Sequence, residues 1–328
     1  MIDQARASAP AKIILFGEHF VVYDKLAVVL AIEKRAYVTT KARSDGKIII
    51  KSKGMKISGI FSRDGAYQPI KGGFEAENKL KPVYMVAKKI LSSVDENVGL
   101  EITIDSLIPV AAGLGSSAAV AVASAASIGR LLDLSLSKEN IFRIALEAEK
   151  LVHGNPSGVD PAISTYGGIL TYCKSMGIKR LNVSVNLPLV VGDTRVKRVT
   201  GEMVLRVGKL RERYPLLVDK IMEAGGELAA LGIKALKEGD LETLGELMNL
   251  NHGLLCALGV SSEEIEKLVH AARKAGALGA KLTGAGGGGC IIALSKYANL
   301  NHVAEAIRSA SGEPYVTEIA LDGVRIEE

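Results

Sequence analysis

Pro109-Val-Ala-Ala-Gly113-Leu114-Gly115-Ser116-Ser117-Ala118-Ala119 runs from an alternating, strand-like segment (residues 101–105) into a stretch of Ala, Val, Ile and Leu that predicts a helix over 118–132. Glycine permits close backbone approach, and the unpaired amides at a helix start form an anion site. Ser116 and Ser117 add hydroxyls suited to a phosphate oxygen or a magnesium ion. No G-x-x-x-x-G-K-[ST] string occurs, so this is not a Walker loop. On local physics two readings stay open: a phosphate cradle, and an ordinary capped helix with a flexible entry.

Upstream, Ala9-Pro10-Ala11-Lys12-Ile13-Ile14-Leu15-Phe16-Gly17-Glu18-His19 sets a lysine at the start of an apolar strand and a Gly-Glu-His turn at its end. Taken alone, Lys12 reads as an edge charge that discourages strand pairing. Short β-branched runs at 27–32 and 36–40 predict two further strands, and residues 77–91 predict an amphipathic helix in which Pro82 fits only near the first turn. Downstream, Ser137 caps a predicted helix ending near residue 152. His153-Gly-Asn-Pro-Ser-Gly-Val-Asp160 then forms a polar turn. With Glu149 on the preceding helix, it brings two carboxylates near the glycine loop, which suits phosphoryl transfer. The simpler role for Asp160 is to cap the next helix.

Beyond residue 185 the pattern changes to long helices, at 200–214, 216–237, 241–258 and 262–275, with strands at 188–192, 280–283, 290–294 and 315–319. Lys281-Leu-Thr-Gly284-Ala-Gly-Gly-Gly-Gly289-Cys290 contains a formal G-x-G-x-x-G, but a strand-like run follows it where a dinucleotide fold needs a helix. An oxidoreductase is set aside on that ground. The 328 residues suffice for two domains, and 48% hydrophobic with 23% charged residues is ordinary for a globular chain. With no Trp and few aromatics, and a net charge of only +5, nothing marks a nucleic-acid surface. Cys173, Cys256 and Cys290 lack metal-type spacing and read as buried apolar residues. No apolar run has the length of a membrane span or a signal core, so the cytoplasm is the expected compartment and no membrane partner is expected.

In chain order, these segments resemble the three motifs of the GHMP kinases, the family named for galactokinase, homoserine kinase, mevalonate kinase and phosphomevalonate kinase. The first is Lys12 with Gly17-Glu18-His19, the second the loop at 109–119, the third the run at 284–289. The wording of 153–160, with Phe20-Val-Val-Tyr23, is most similar to the mevalonate-phosphorylating branch, as are Gly192-Asp193-Thr194-Arg195 and Asn251-His252.

The resemblance implies an α+β fold of two domains, residues 1–180 and 181–328, with the active site in the cleft between them. It implies ATP and mevalonate as substrates and Mg2+ as cofactor. Pro109, Ala111, Ala112, Gly113, Leu114, Gly115, Ser116 and Ser117 would wrap the ATP phosphates, and Ser117 with Glu149 would hold magnesium. Asp160 would be the catalytic carboxylate and also touch substrate, Lys12 would stabilise charge, and Glu18 and His19 would line the substrate pocket. Thr194 would lie near phosphate or substrate. A homodimer stays open. The rivals are another GHMP acceptor, or a ligand sensor on the same fold. A sensor has no need of Lys12, Ser117, Glu149 and Asp160 together.

Overall fold

Strand β1 (Gln4–Phe16) alternates Ala5, Ala7 and Ala9, all buried, with the exposed Gln4 and Arg6. That period of two sets a row of small side chains on the inner face. β1 pairs antiparallel with β2 (Ala27–Arg43) across a 3-10 turn at Phe20–Tyr23. The two apolar runs expected as separate strands are therefore one. Their join is a bulge: Pro10 faces Arg35 but Ala11 faces Ile32. Pro10 has no N–H for the ladder, and the extra residues opposite it absorb the break. The computed structural model describes residues 3–92, 98–109, 112–153, 156–183, 185–196 and 200–328, with the backbone alone for 151–153.

After β2 come β3 (Ile48–Ser52), β4 (Ile57–Phe61), β5 (Tyr67–Lys71), α1 (Ala76–Leu91) and β6 (Gly99–Ser106). Pro82 lies in the second turn of α1, deeper than expected. The helix runs through it because Leu80, Val83, Ala87, Ile90 and Leu91 share one buried face, and such burial contributes about 1.5–3 kcal/mol per large side chain. Helices α2 (Ser116–Leu131), α3 (Lys138–His153) and α4 (Val159–Tyr166) follow, then β7 (Ile169–Cys173) and β8 (Gly177–Leu181). Ser137 Oγ accepts from Asn140 N at 3.1 Å while Asn140 Oδ1 accepts from Ser137 N at 3.3 Å, so the expected cap starts α3.

The remaining elements are β9 (Leu189–Asp193), α5 (Thr200–Arg213), α6 (Pro215–Glu238), α7 (Leu241–Ala257), α8 (Glu263–Lys274), β10 (Gly279–Thr283), β11 (Cys290–Leu294), α9 (Leu300–Ser309), β12 (Glu313–Thr317) and β13 (Arg325–Glu327). Among the described residues the larger sheet has the path β13-β1-β2-β6-β3-β4-β5, with β7 and β8 joined through β2, and the smaller is β10-β11-β9-β12. Among the described strands, only β3 and β6 pair in parallel. α2 lies on the alanine row of β1. Ala119, Ala123 and Ala126 are among the buried residues of α2, and such small side chains let helix and sheet approach closely. Ser127 Oγ, buried in that interface, lies 2.9 Å from Ala5 O and 2.7 Å from Thr40 Oγ1. No described helix is long and apolar enough to cross a membrane.

Candidate active site

The outer edge of β1 explains the site. Even-numbered residues direct their amides to that edge. Arg6 and Ser8 meet β13 there. Past β13 the edge is covered by other groups: Lys12 N donates to Leu114 O at 2.9 Å, and Ile14 N donates to Thr283 Oγ1 at 2.9 Å. The loop before α2 and the strand before the glycine run thus dock on one strand, two residues apart.

Lys12 anchors that loop with its backbone and reaches Asp160 with its side chain, Nζ to Oδ1 at 3.0 Å. Asp160 lies in the first turn of α4, behind the N-cap Gly158, so it is not itself the cap. One helical turn on, Ser164 Oγ donates to Pro10 O at 3.0 Å. The bulge carbonyl of β1 thereby holds α4 at the height that lets Asp160 meet Lys12. Gly115, the left-handed N-cap of α2 at φ 73°, lies against both: a Cβ there would fall 2.8 Å from Lys12 Cγ and 3.6 Å from Asp160 Oδ2. A bare backbone is needed at this point.

Glu149, on the last turns of α3, faces the same pair. Its carboxyl is pushed up to about 7, by burial first and by the charge of Asp160 second, with Lys12 opposing. Its Oε2 is buried with no hydrogen-bond partner among the described residues. A buried carboxylate oxygen left unpaired is costly, and a cation is the partner this donor set fits. Ser116 is half-buried and Ser117 exposed on the first turn of α2, where the helix-start amides point outward. Gly113 and Leu114 lead into them. Pro109 and Ala112 flank residues 110–111, so Ala111 lies outside the described residues. So do Gly154 and Asn155, and the side chain of His153.

Glu18 and His19 part company. His19 takes a left-handed conformation, φ 61°, and its Nε2 lies 2.8 Å from Ala285 O in the glycine run. Glu18, expected on the wall of a substrate pocket, has its side chain fully buried in an ion pair with Lys281, whose side chain is equally enclosed. Burial of this kind requires its charge to be matched within the protein. Thr194 Oγ1 is likewise turned inward, donating to Gly289 O at 2.8 Å. Lys281 and Thr283 were not singled out from the sequence, although both stand beside the glycine run.

The set His252, Cys256 and Glu266 has metal-type donors within 4.8 Å of one another. Hydrogen bonds already satisfy it. His252 Nδ1 accepts from Leu282 N at 3.3 Å, which leaves the proton on Nε2, 3.1 Å from Glu266 Oε1. Cys256 Sγ donates to the same oxygen at 3.2 Å, so this cysteine is a half-buried tie between α7 and α8 rather than an apolar core residue.

A helix start whose amides point outward, with a lysine–aspartate pair beside it and a carboxylate oxygen that lacks a partner among the described residues, suits phosphoryl transfer. Family models agree. That for the GHMP kinases N terminal domain matches residues 81–168, and that for the GHMP kinases C terminal matches residues 233–313. The mevalonate kinase of Pyrococcus horikoshii is 46% identical, over 100% of this chain and 99% of its own length. The crystal structure of L. major mevalonate kinase in complex with R-mevalonate superposes with a TM-score of 0.83 at 28% identity, covering 95% of this chain and 94% of that one. The Methanococcus jannaschii mevalonate kinase gives a TM-score of 0.83 at 25% identity, over 96% and 98%. The chain belongs to the mevalonate kinase family, within the two-domain GHMP kinases.

Proposed function

We propose that the chain transfers the γ-phosphoryl group of ATP to the primary hydroxyl of mevalonate, giving 5-phosphomevalonate. The observation that carries this reading is the 3.0 Å Lys12–Asp160 pair set against Gly115 at the start of α2. Asp160 is placed to orient the acceptor hydroxyl and take its proton, while Lys12 steadies the alkoxide that develops. The loop from Pro109 to Ser117, with its helix-start amides, holds the triphosphate. His19 forms part of the acceptor side.

Ser117 and Glu149 would hold magnesium, and the partnerless Oε2 of Glu149 supports that assignment. When bound, Mg2+ neutralises charge on the β- and γ-phosphates. A division at residues 1–180 and 181–328 falls one residue inside the end of β8, close to the change from the larger sheet of β1–β8 to the smaller of β9–β12, with β13 returning to the first. We place the enzyme in the cytoplasm. Whether it acts as a monomer or a homodimer does not alter a site built from one chain.

The test is ADP release with ATP and magnesium, comparing mevalonate with phosphomevalonate, homoserine and galactose. Turnover confined to mevalonate is expected, and turnover confined to another of the four would overturn the acceptor. Asp160→Asn is expected to lower kcat by about 100-fold or more. Near-normal kcat in that variant would remove Asp160 from its role.

A further inference from the structure

The two sheets meet where the end of β1 lies against β10, and side chains from both sides make the join. Thr283 Oγ1 accepts from Ile14 N at 2.9 Å and donates to Ile14 O at 3.0 Å, filling a ladder position on the outer edge of β1. Lys281 Nζ pairs with Glu18 Oε1 and also donates to Leu282 O at 2.8 Å. Asn251 Nδ2, on α7, lies 3.5 Å from Glu18 Oε2. His19 then meets Ala285 O in the glycine run. A buried ion pair is poor glue, since desolvation offsets its attraction, and its best-attested use is to select one register among several. Burial raises the Glu18 carboxyl and lowers the Lys281 ammonium, as expected for groups so enclosed.

The glycine run itself needs such a guide. Gly284, Gly286, Gly287, Gly288 and Gly289 all have positive φ, from 69° to 125°. A segment with so few side chains is fixed through its backbone, from Gly287 N to Val260 O and from Gly289 N to Val196 O, and through the strand that leads into it. We propose that Lys281 is a positioning residue: by pairing with Glu18 it locks the run at 284–289 in register with the β1 segment that carries Lys12. The proposal rests on the kinase reading above, because it assigns the run to the same reacting centre.

The experiment compares the parent with Lys281→Met, Glu18→Gln and the double variant. Lys281→Met leaves a buried carboxyl alone and is expected to lower Tm. Glu18→Gln with Lys281→Met removes both charges and is expected to bring Tm back to within about 5 °C of the parent. In that double variant kcat stays down by about tenfold or more, and amides of 284–289 exchange at least about tenfold faster while those of β10 and β11 do not. Recovery of kcat together with Tm, or unaltered exchange in the run, would overturn the proposal. If the double variant does not fold, Glu18→Gln alone is read in the same way, since it removes one charge of the pair and leaves the bonds between Thr283 and Ile14 in place. A parent without turnover on mevalonate would sink the functional reading alone, and exchange at 284–289 would still decide the register role.

Discussion

Glu149 carries a buried oxygen without a partner among the described residues and a carboxyl pushed up to about 7, so this position is held at a cost to the folded protein. Glu149→Gln is therefore expected to leave the metal-free Tm unchanged or to raise stability by about 1 kcal/mol, since an amide is easier to bury. In the same variant turnover at fixed magnesium falls on the order of 100-fold. Thermal melts with and without Mg2+ beside steady-state rates check both; a marked fall in metal-free Tm would argue for a structural carboxylate. At this scale much of the site was legible in the sequence. Lys12, Gly115 and Asp160 belong to short strings whose glycines and prolines constrain the backbone. The partner of Glu18 was not legible, because Lys281 lies 263 residues away and reads there as one cation among many.

Helices were the easier elements to read, since caps such as Ser137 and Ser262 and long apolar periods announce them. Strands were harder: Glu33, Lys34 and Arg35 interrupt β2 in sequence, and only the bulge opposite Pro10 shows that it continues. Within α1, Pro82 removes the amide that would bond to Asn78 O. Pro82→Ala is expected to stabilise the protein by about 1–3 kcal/mol, read from the urea midpoint. An unchanged midpoint would mean that α1 bends to suit proline. The tie between α7 and α8 gives a pH dependence. Desolvation is the main force holding His252 down to about 4, against the attraction of Glu266. The folded state then keeps a neutral ring while the unfolded chain takes a proton below about pH 6.5. Stability from this group is complete above pH 6.5 and is lost as pH falls towards 4, by about 3 kcal/mol in all. Comparing unfolding free energies of parent and His252→Gln from pH 7 to 4 should show a gap that changes across this window; a constant gap would refute it.

For the molecule as a whole, the last strand completes the first. β13 pairs with Arg6, Ala7 and Ser8, while Arg35, almost wholly buried, donates to Asp322 O and Gly323 O and to Ser8 Oγ at 2.7 Å. Deleting residues 321–328 takes those carbonyls from a buried cation. It is expected to cost about 3 kcal/mol or more, measured by urea unfolding, and to favour aggregation through the bared strand edge. A truncated chain as stable and monodisperse as the parent would contradict this. Nothing in the sequence of 325–327 announced a strand, because a three-residue element has no period to read. The same pairing bears on synthesis. The bond from Ser8 to Glu327 spans 319 positions, so a nascent chain emerges from the ribosome with β1 first and waits for its edge partner until residues 325–327 have been made. The N-terminal sheet cannot close as it is made, and for that interval the open edge of β1 is exposed to other chains, a hazard that grows with slow translation and crowded expression.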